Sequence, residues 1–283
     1  MLVMSNILQK KIGSNFEEVK TYCLHNEIIG KESIKSANET GLLADEFVHI
    51  IKSTIKNYEN PVIVKIHDST SIYVNKELLA IEELNDFKNV VKSICNFSCI
   101  DNKLRWQSKI KRDVKFCNNE KDSLHFFVYE YIDDGDIENF FNSNPTITEI
   151  KTIFLQCSLV IMILGKKYSI IHGDLNSGNI LFSKTSKKTT SYILGEKKYI
   201  INTNGRVPKL IDFGRCKKIK GNITENVMDD VIILLDILSI WIKNQNFKQK
   251  IRLFLLHESN KQSKNMNAFI SDLNDFFISY VDN

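Results

Sequence analysis

The sequence predicts an α+β fold of two lobes, sheet-rich first and helix-rich second. Three observations carry this. Residues 28–66 hold three strand-like runs, "EIIGKESI", "EFVHIIKSTI" and "PVIVKI". Ile147, Ile150, Phe154, Cys157, Ile161 and Leu164 recur in steps of three and four, the spacing of one apolar helix stripe. Between these parts lies "DDGD", residues 133–136, a polar turn that marks the boundary.

Residues 1–27 read as an N-terminal extension, a short helix or an arm. The first lobe spans 28–133. After its three strands, "YVNKELLAIEELNDF" places Leu78, Leu79, Ile81 and Leu84 at helical spacing with charges between them. "NVVKSICNF" and "LHFFVYEYI" then read as strands. The second lobe spans 134–283. Its long helix is followed by two strand–turn units, "SIIHGDLNSGNILF" and "VPKLIDFG". They enclose a lysine-rich insertion, 183–206, in which "YIINTNGRV" reads as a hairpin around Asn204-Gly205. Three helical segments after residue 221 complete the chain. The apolar runs 153–165 and 231–242 are shorter than the roughly 20 residues of a membrane span and read as buried helices.

Composition narrows the function classes. The chain has 283 residues, 43% apolar and 25% charged, enough for a sizeable core. Its formal charge, 38 − 34 = +4, is too small to argue nucleic-acid binding by itself. The six cysteines contain no CxxC, so they read as reduced thiols of a cytoplasmic protein rather than zinc ligands. The N-terminus has no long apolar run of the signal-peptide kind.

The chemistry concentrates in a few residues. His172-Gly173-Asp174 is followed five residues after the aspartate by Asn179, and 33 residues later by Asp212-Phe213-Gly214. Each motif ends a strand-like run. Two carboxylates and an amide on two turns suit phosphoryl transfer: one carboxylate orients the nucleophile, and the rest hold Mg²⁺ against phosphates. The first lobe supplies a cation, Lys65, at the end of "VIVK". A lysine there is costly to bury unless paired, and the following helix offers Glu77.

On these residues, with "ELLAIEELNDFKNVV" after Glu77 and "FFVYEYIDDGDIENF" further on, the chain resembles the protein-kinase-like superfamily over roughly 28–240. The resemblance implies a two-lobed kinase-like fold, with an antiparallel-sheet N-lobe carrying one main helix and a helical C-lobe. It implies ATP- and Mg²⁺-dependent phosphoryl transfer, most simply to Ser or Thr of a protein. Lys65 would contact the ATP phosphates, held by Glu77. Tyr129 would be the gatekeeper, and the backbones of Glu130 and Ile132 would bind adenine. Asp136 would either bind ribose or cap the helix starting at Ile137. Asp174 would be the catalytic carboxylate, Asn179 and Asp212 would hold the metal, and Phe213 and Gly214 would orient Asp212. His172 would brace its loop.

The chain also departs from the family pattern. "GKESIKSANETG" has Gly30 and Gly41 but no glycine-rich loop, leaving Ser33 or Ser36 and backbone amides to cover phosphates. Gly173 stands where most protein kinases have arginine, and Asn176 replaces the usual lysine. No A-P-E follows, and only 17 or 18 residues separate Asp212 from the buried-helix aspartates Asp229 and Asp230. These departures keep two alternatives open: a small-molecule phosphotransferase, and a nucleotide-binding pseudokinase acting as a binding module. The insertion with its D-F-G-R resembles kinase-like proteins of large nucleocytoplasmic DNA viruses, which implies host cytoplasm or virion. The lysines of 184–198 read as a solvated loop or as a docking patch for an acidic partner or nucleic acid.

Overall fold

The computed structural model describes residues 35–36, 49–53, 60–68, 71–98, 104–107, 113–116, 124–261 and 265–281. The expected extension 1–27, and Gly30, Ser33 and Gly41, lie outside them. The chain is mixed α and β, with small antiparallel sheets. It divides into two compact units: residues 1–81 with 91–131, and residues 82–90 with 132–283.

In the first unit, strands β1 (Lys35–Ser36), β2 (His49–Ser53), β3 (Val62–Asp68), β4 (Ser93–Ser98) and β7 (Leu124–Glu130) form one sheet in the order β1-β2-β3-β7-β4. All its pairs are antiparallel. β5 (Leu104–Gln107) and β6 (Asp113–Phe116) form a separate antiparallel pair. Helix α1 (Ile72–Leu84) follows β3. β3 is central and buried on both faces: Val62 and Val64 on one, Lys65 and His67 by the alternation of the other. The expected strand from Asn89 begins only at Ser93. Asn89 Nδ2 donates to Pro208 O at 2.8 Å, Leu210 N donates to Asn89 O at 2.7 Å, and Val90 bridges Leu210, so these residues join the second unit.

The second unit is built on helix α3 (Ile147–Tyr168), preceded by α2 (Ile137–Asn142). A Thr146–Glu149 capping box starts α3, and left-handed Ser169 ends it. The expected single stripe is a helix buried on every side from Thr152 to Gly165. It packs on α4 (Ile223–Ile240), on α6 (Met266–Val281) and on strands of the insertion. A helix surrounded by partners has no face to leave polar. Gly165 permits the close α3–α4 approach: a Cβ there would lie 1.9 Å from Val227 Cγ2. At 22 residues α3 is longer than its core run suggested and long and apolar enough to cross a membrane, but 78% of its apolar 18-residue window is buried within the chain. Helix α5 (Gln245–Ser259) packs on α4.

Four strand pieces position the polar loops. β8 (Ile170–Ile171) pairs with β13 (Lys217–Lys218), and β9 (Ile180–Lys184) with β12 (Arg206–Leu210). The insertion forms the hairpin β10 (Thr189–Leu194) and β11 (Lys197–Asn202), joined at Gly195-Glu196. The expected hairpin around Asn204-Gly205 is therefore displaced. Both residues have positive φ (47° and 79°), and Arg206 N bonds Thr203 O at 2.9 Å, so the turn forms. The strands it joins, however, belong to different sheets. A turn signal fixes local dihedrals and leaves open which strands pair.

Candidate functional site

In the first unit, Lys65 Nζ donates to Glu77 Oε2 at 2.8 Å, with both side chains buried. β3 sends Lys65 inward and α1 brings Glu77 to it. Tyr129 on β7 donates its hydroxyl to Glu77 Oε1 at 2.6 Å, so the two carboxylate oxygens have different principal partners. His67, two residues beyond Lys65 and so on the same strand face, holds Nε2 at 3.6 Å from Glu77 Oε2. Its cross-strand partner His125 is buried too, and burial first, then His67, pushes the His125 imidazole down to about 4 against the pull of Glu77. The rings of His125, Phe127 and Tyr129 line this face, with Phe127 4.5 Å from His125 and 6.2 Å from Tyr129. Tyr129 thus holds the Glu77 carboxylate directly, a contact not expected from the sequence. The strand period signals His67; the bond from Tyr129 depends on a β3–β7 register that no local pattern reveals. Glu130 donates its N–H to Lys92 O at 3.0 Å and accepts from Lys92 N at 2.9 Å.

The second unit brings Asp174, Asn179 and Asp212 onto two linked loops. Asn179 immediately precedes β9, Asp212 lies two residues past β12, and Ile180 pairs with Leu210. Antiparallel pairing in that register makes both loops leave the same end of the sheet. They are bonded there, Ile211 N to Asn179 O at 3.1 Å. Asn179 Nδ2 donates to Asp174 O at 2.8 Å and to its Oδ2 at 3.3 Å. Both donated bonds leave through the nitrogen, so the Asn179 Oδ1 remains an acceptor. Arg215 lies 3.8 Å from Asp174 Oδ1.

Asp212 has φ 62°, the left-handed region, and its carboxylate accepts from Gly214 N at 3.4 Å. A non-glycine residue held there is strained by its surroundings, a feature that clusters at functional sites. Phe213 is buried against His172, ring centroids 4.6 Å apart. His172 is fully buried, and its Nε2 lies 2.8 Å from Ile211 O. A carbonyl only accepts, so Nε2 carries the proton, and the ring ties one loop to the other. The His172 backbone N–H donates to Asp230. Burial, then Asp229, pushes the Asp230 carboxyl up to about 6 despite that bond and Lys217. The two helix aspartates differ: Asp230 is half-buried, whereas Asp229 is exposed.

The two departures in this loop have local reasons. Gly173 has φ +75°, and a Cβ there would lie 2.3 Å from Arg215 O. Asn176 accepts from Gly178 N at 2.9 Å and donates to Asp174 O at 3.1 Å, so it shapes the turn. Asp136 caps α2 by accepting from Asn139 N at 2.9 Å, the role expected as the alternative to ribose contact. Ile132 is buried. Among the described residues no cluster of three His, Cys, Asp or Glu could hold a metal unaided. The oxygens of Asn179 and Asp212 nonetheless suit Mg²⁺, which takes few protein ligands when phosphates complete its shell.

No family model matches the chain. Over 64 residues it is 38% identical to an uncharacterized protein of Caenorhabditis elegans, covering 23% of this chain and 22% of that protein. The match thus spans about a fifth of the relative's length.

Proposed function

We propose that this chain has a kinase-like fold and transfers the γ-phosphoryl group of ATP, with Mg²⁺, to Ser or Thr hydroxyls of a protein. The observation that carries the reading is the pair of bonded loops presenting Asp174, Asn179 and strained Asp212 at one sheet end. The buried Lys65–Glu77 pair supports it independently, since a cation kept at that depth suits a phosphate-facing role.

Asp174 orients the hydroxyl and accepts its proton, held in place by Asn179 Nδ2 and by Arg215. Asn179 Oδ1 and the Asp212 carboxylate would hold Mg²⁺, which offsets charge on the phosphates when bound. Lys65 faces the phosphates, fixed by Glu77. Glu130 N–H is already bonded to Lys92 O, so its adenine contact is through its carbonyl. Asp136 contacts ribose only with oxygen capacity left over from its cap.

A second reading, transfer to a small-molecule hydroxyl, is favoured by the short run from Gly214 to the start of α4 at Ile223. It leaves little chain for docking a peptide. One experiment addresses both: ³²P transfer from γ-labelled ATP to a protein panel and to small-molecule hydroxyls, for wild type and Asp212→Asn. Asn tolerates the left-handed conformation, so the variant should melt near wild type while transfer drops about a thousandfold. Full transfer by the variant overturns the reading. Nucleotide binding without transfer by wild type points to a binding module.

A further inference from the structure

We propose that the outer face of the β10–β11 hairpin is a docking surface for an acidic, aliphatic-containing segment of a partner protein. The two faces of this hairpin are unlike. On the inner face Tyr192 and Leu194 are 1% exposed. Tyr192 donates its hydroxyl to Gln156 Oε1 at 2.9 Å, and Tyr199 donates to Asn267 Oδ1 at 2.7 Å. These anchors hold the strands rigidly on helices α3 and α6.

The outer face carries Thr189, Ser191, Ile193, Lys198, Ile200 and Asn202, all exposed. Ser191 opposes Ile200 and Ile193 opposes Lys198, so the two isoleucines are diagonal neighbours on one surface. They are 64% and 65% exposed. Lysines flank them at both ends: Lys187 and Lys188 at the open end and Lys198 beside Ile193 at the turn, whereas Lys197, in register with Leu194, turns to the other face with its Nζ 5.2 Å from the Tyr199 ring centroid. Against the five lysines of 184–198 stands the single acid Glu196. Among the described residues Lys184 is ion-paired, 3.6 Å from Asp134, and no carboxylate pairs with Lys187, Lys188, Lys197 or Lys198.

Lys88 adds a further cation at the hairpin's edge. Its Nζ donates to Thr190 Oγ1 at 2.7 Å and to Ser191 O at 2.8 Å, and lies 4.7 Å from the Tyr192 ring centroid. Burial, then nearby Lys187, lowers its pKa, so two ammonium groups crowd this edge.

Edge lysines alone would protect a hairpin from strand pairing. That role does not call for two isoleucines at the centre of the exposed face. An aliphatic centre with a cationic rim is complementary to a chain that alternates acidic and aliphatic side chains. The face carries no exposed aromatic ring on which a nucleic-acid base could stack.

The test is fluorescence anisotropy of the full chain with four probes. These are a short Glu/Leu-alternating peptide, its Lys/Leu counterpart, single-stranded DNA of similar length, and phosphatidylserine vesicles. The Glu/Leu peptide should bind, more weakly as salt rises. Lys198→Glu and, separately, Ile193→Ser/Ile200→Ser should each weaken it about tenfold with an unchanged melting temperature. The substituted side chains are exposed and separate from the Tyr192 and Leu194 anchors, and Lys198→Gln is a milder check. Absence of peptide binding, indifference to both substitutions, or tighter binding of DNA or vesicles overturns the proposal. The readout is binding, so it stands or falls apart from phosphoryl transfer.

Discussion

Tyr129 and Glu77 are joined by a 2.6 Å hydrogen bond inside the first unit, while Lys65 holds the other carboxylate oxygen at 2.8 Å. A carboxylate buried this deeply is stable only when its lone pairs are met. The two partners are not equivalent, because only Lys65 supplies the opposing charge. Tyr129→Phe removes one bond to a charged acceptor and should cost about 1.5–3 kcal/mol. Glu77→Ala leaves the Lys65 ammonium buried without its carboxylate and should cost more, about 3–5 kcal/mol. Urea denaturation of the two variants checks the order. Equal losses would mean that the pair contributes no more than the hydroxyl bond.

Gly173 and Gly205 share a conformation, φ +75° and +79°, but differ in surroundings. A Cβ at Gly173 meets Arg215 O at 2.3 Å, whereas at Gly205 nothing lies within 4 Å. Gly205→Ala should therefore cost only the left-handed penalty, roughly 1 kcal/mol. Gly173→Ala adds a backbone clash and should cost at least about 2 kcal/mol more. Thermal melts of the two variants measure the difference. Matching melting temperatures would show that the loop around Arg215 yields freely.

His125 and Asp230 make opposite contributions over nearly the same acid range. His125 is depressed to about 4 from the usual 6.5, so the folded state holds fewer protons than the unfolded state between those values. Its contribution is present above 6.5 and is lost as pH falls toward 4. Asp230 is raised to about 6 from 3.8, so the folded state holds more protons there, and stability declines as pH rises from 3.8 to 6. The two slopes partly cancel in the wild type. His125→Gln should remove the rise with pH, and Asp230→Asn the decline. Urea titrations between pH 4 and 7 test both, and wild-type slopes in both variants would refute the assignment.

Much of the local structure was legible because it rests on short-range patterns. The 3.6-residue period marked α3, and the strand-like runs marked β3, β7 and β9. Lys65 and Glu77 could be matched because a charge in an apolar strand demands a partner, although Lys65 stands in the middle of β3, which runs on to Asp68, and not at its end. Asp136 carried a cap signature, and it caps α2. Other features were illegible for a common reason. The Tyr129–Glu77 bond depends on the β3–β7 register, and the hairpin in the insertion depends on which strands found partners. The diversion of Asn89 and Val90 toward Pro208 and Leu210 depends on a contact 119 residues away. β5 and β6 have four residues each, too few for a period to declare itself.

The sequence by itself determined the chemistry on offer: which carboxylates, amides and lysines the chain carries, and the strand ends that present them. Tertiary structure decided which groups meet and in what state. Pairing Ile180 with Leu210 brought the Asn179 and Asp212 loops to one sheet end and set the bond from Ile211 N to Asn179 O. Packing against Arg215 turned the residue before Asp174 into an obligatory glycine, and desolvation, with Asp229 nearby, raised the Asp230 carboxyl. Hydrogen bonding, steric exclusion and desolvation all depend on distance in space, and distance in space between remote residues is set only when the chain has folded.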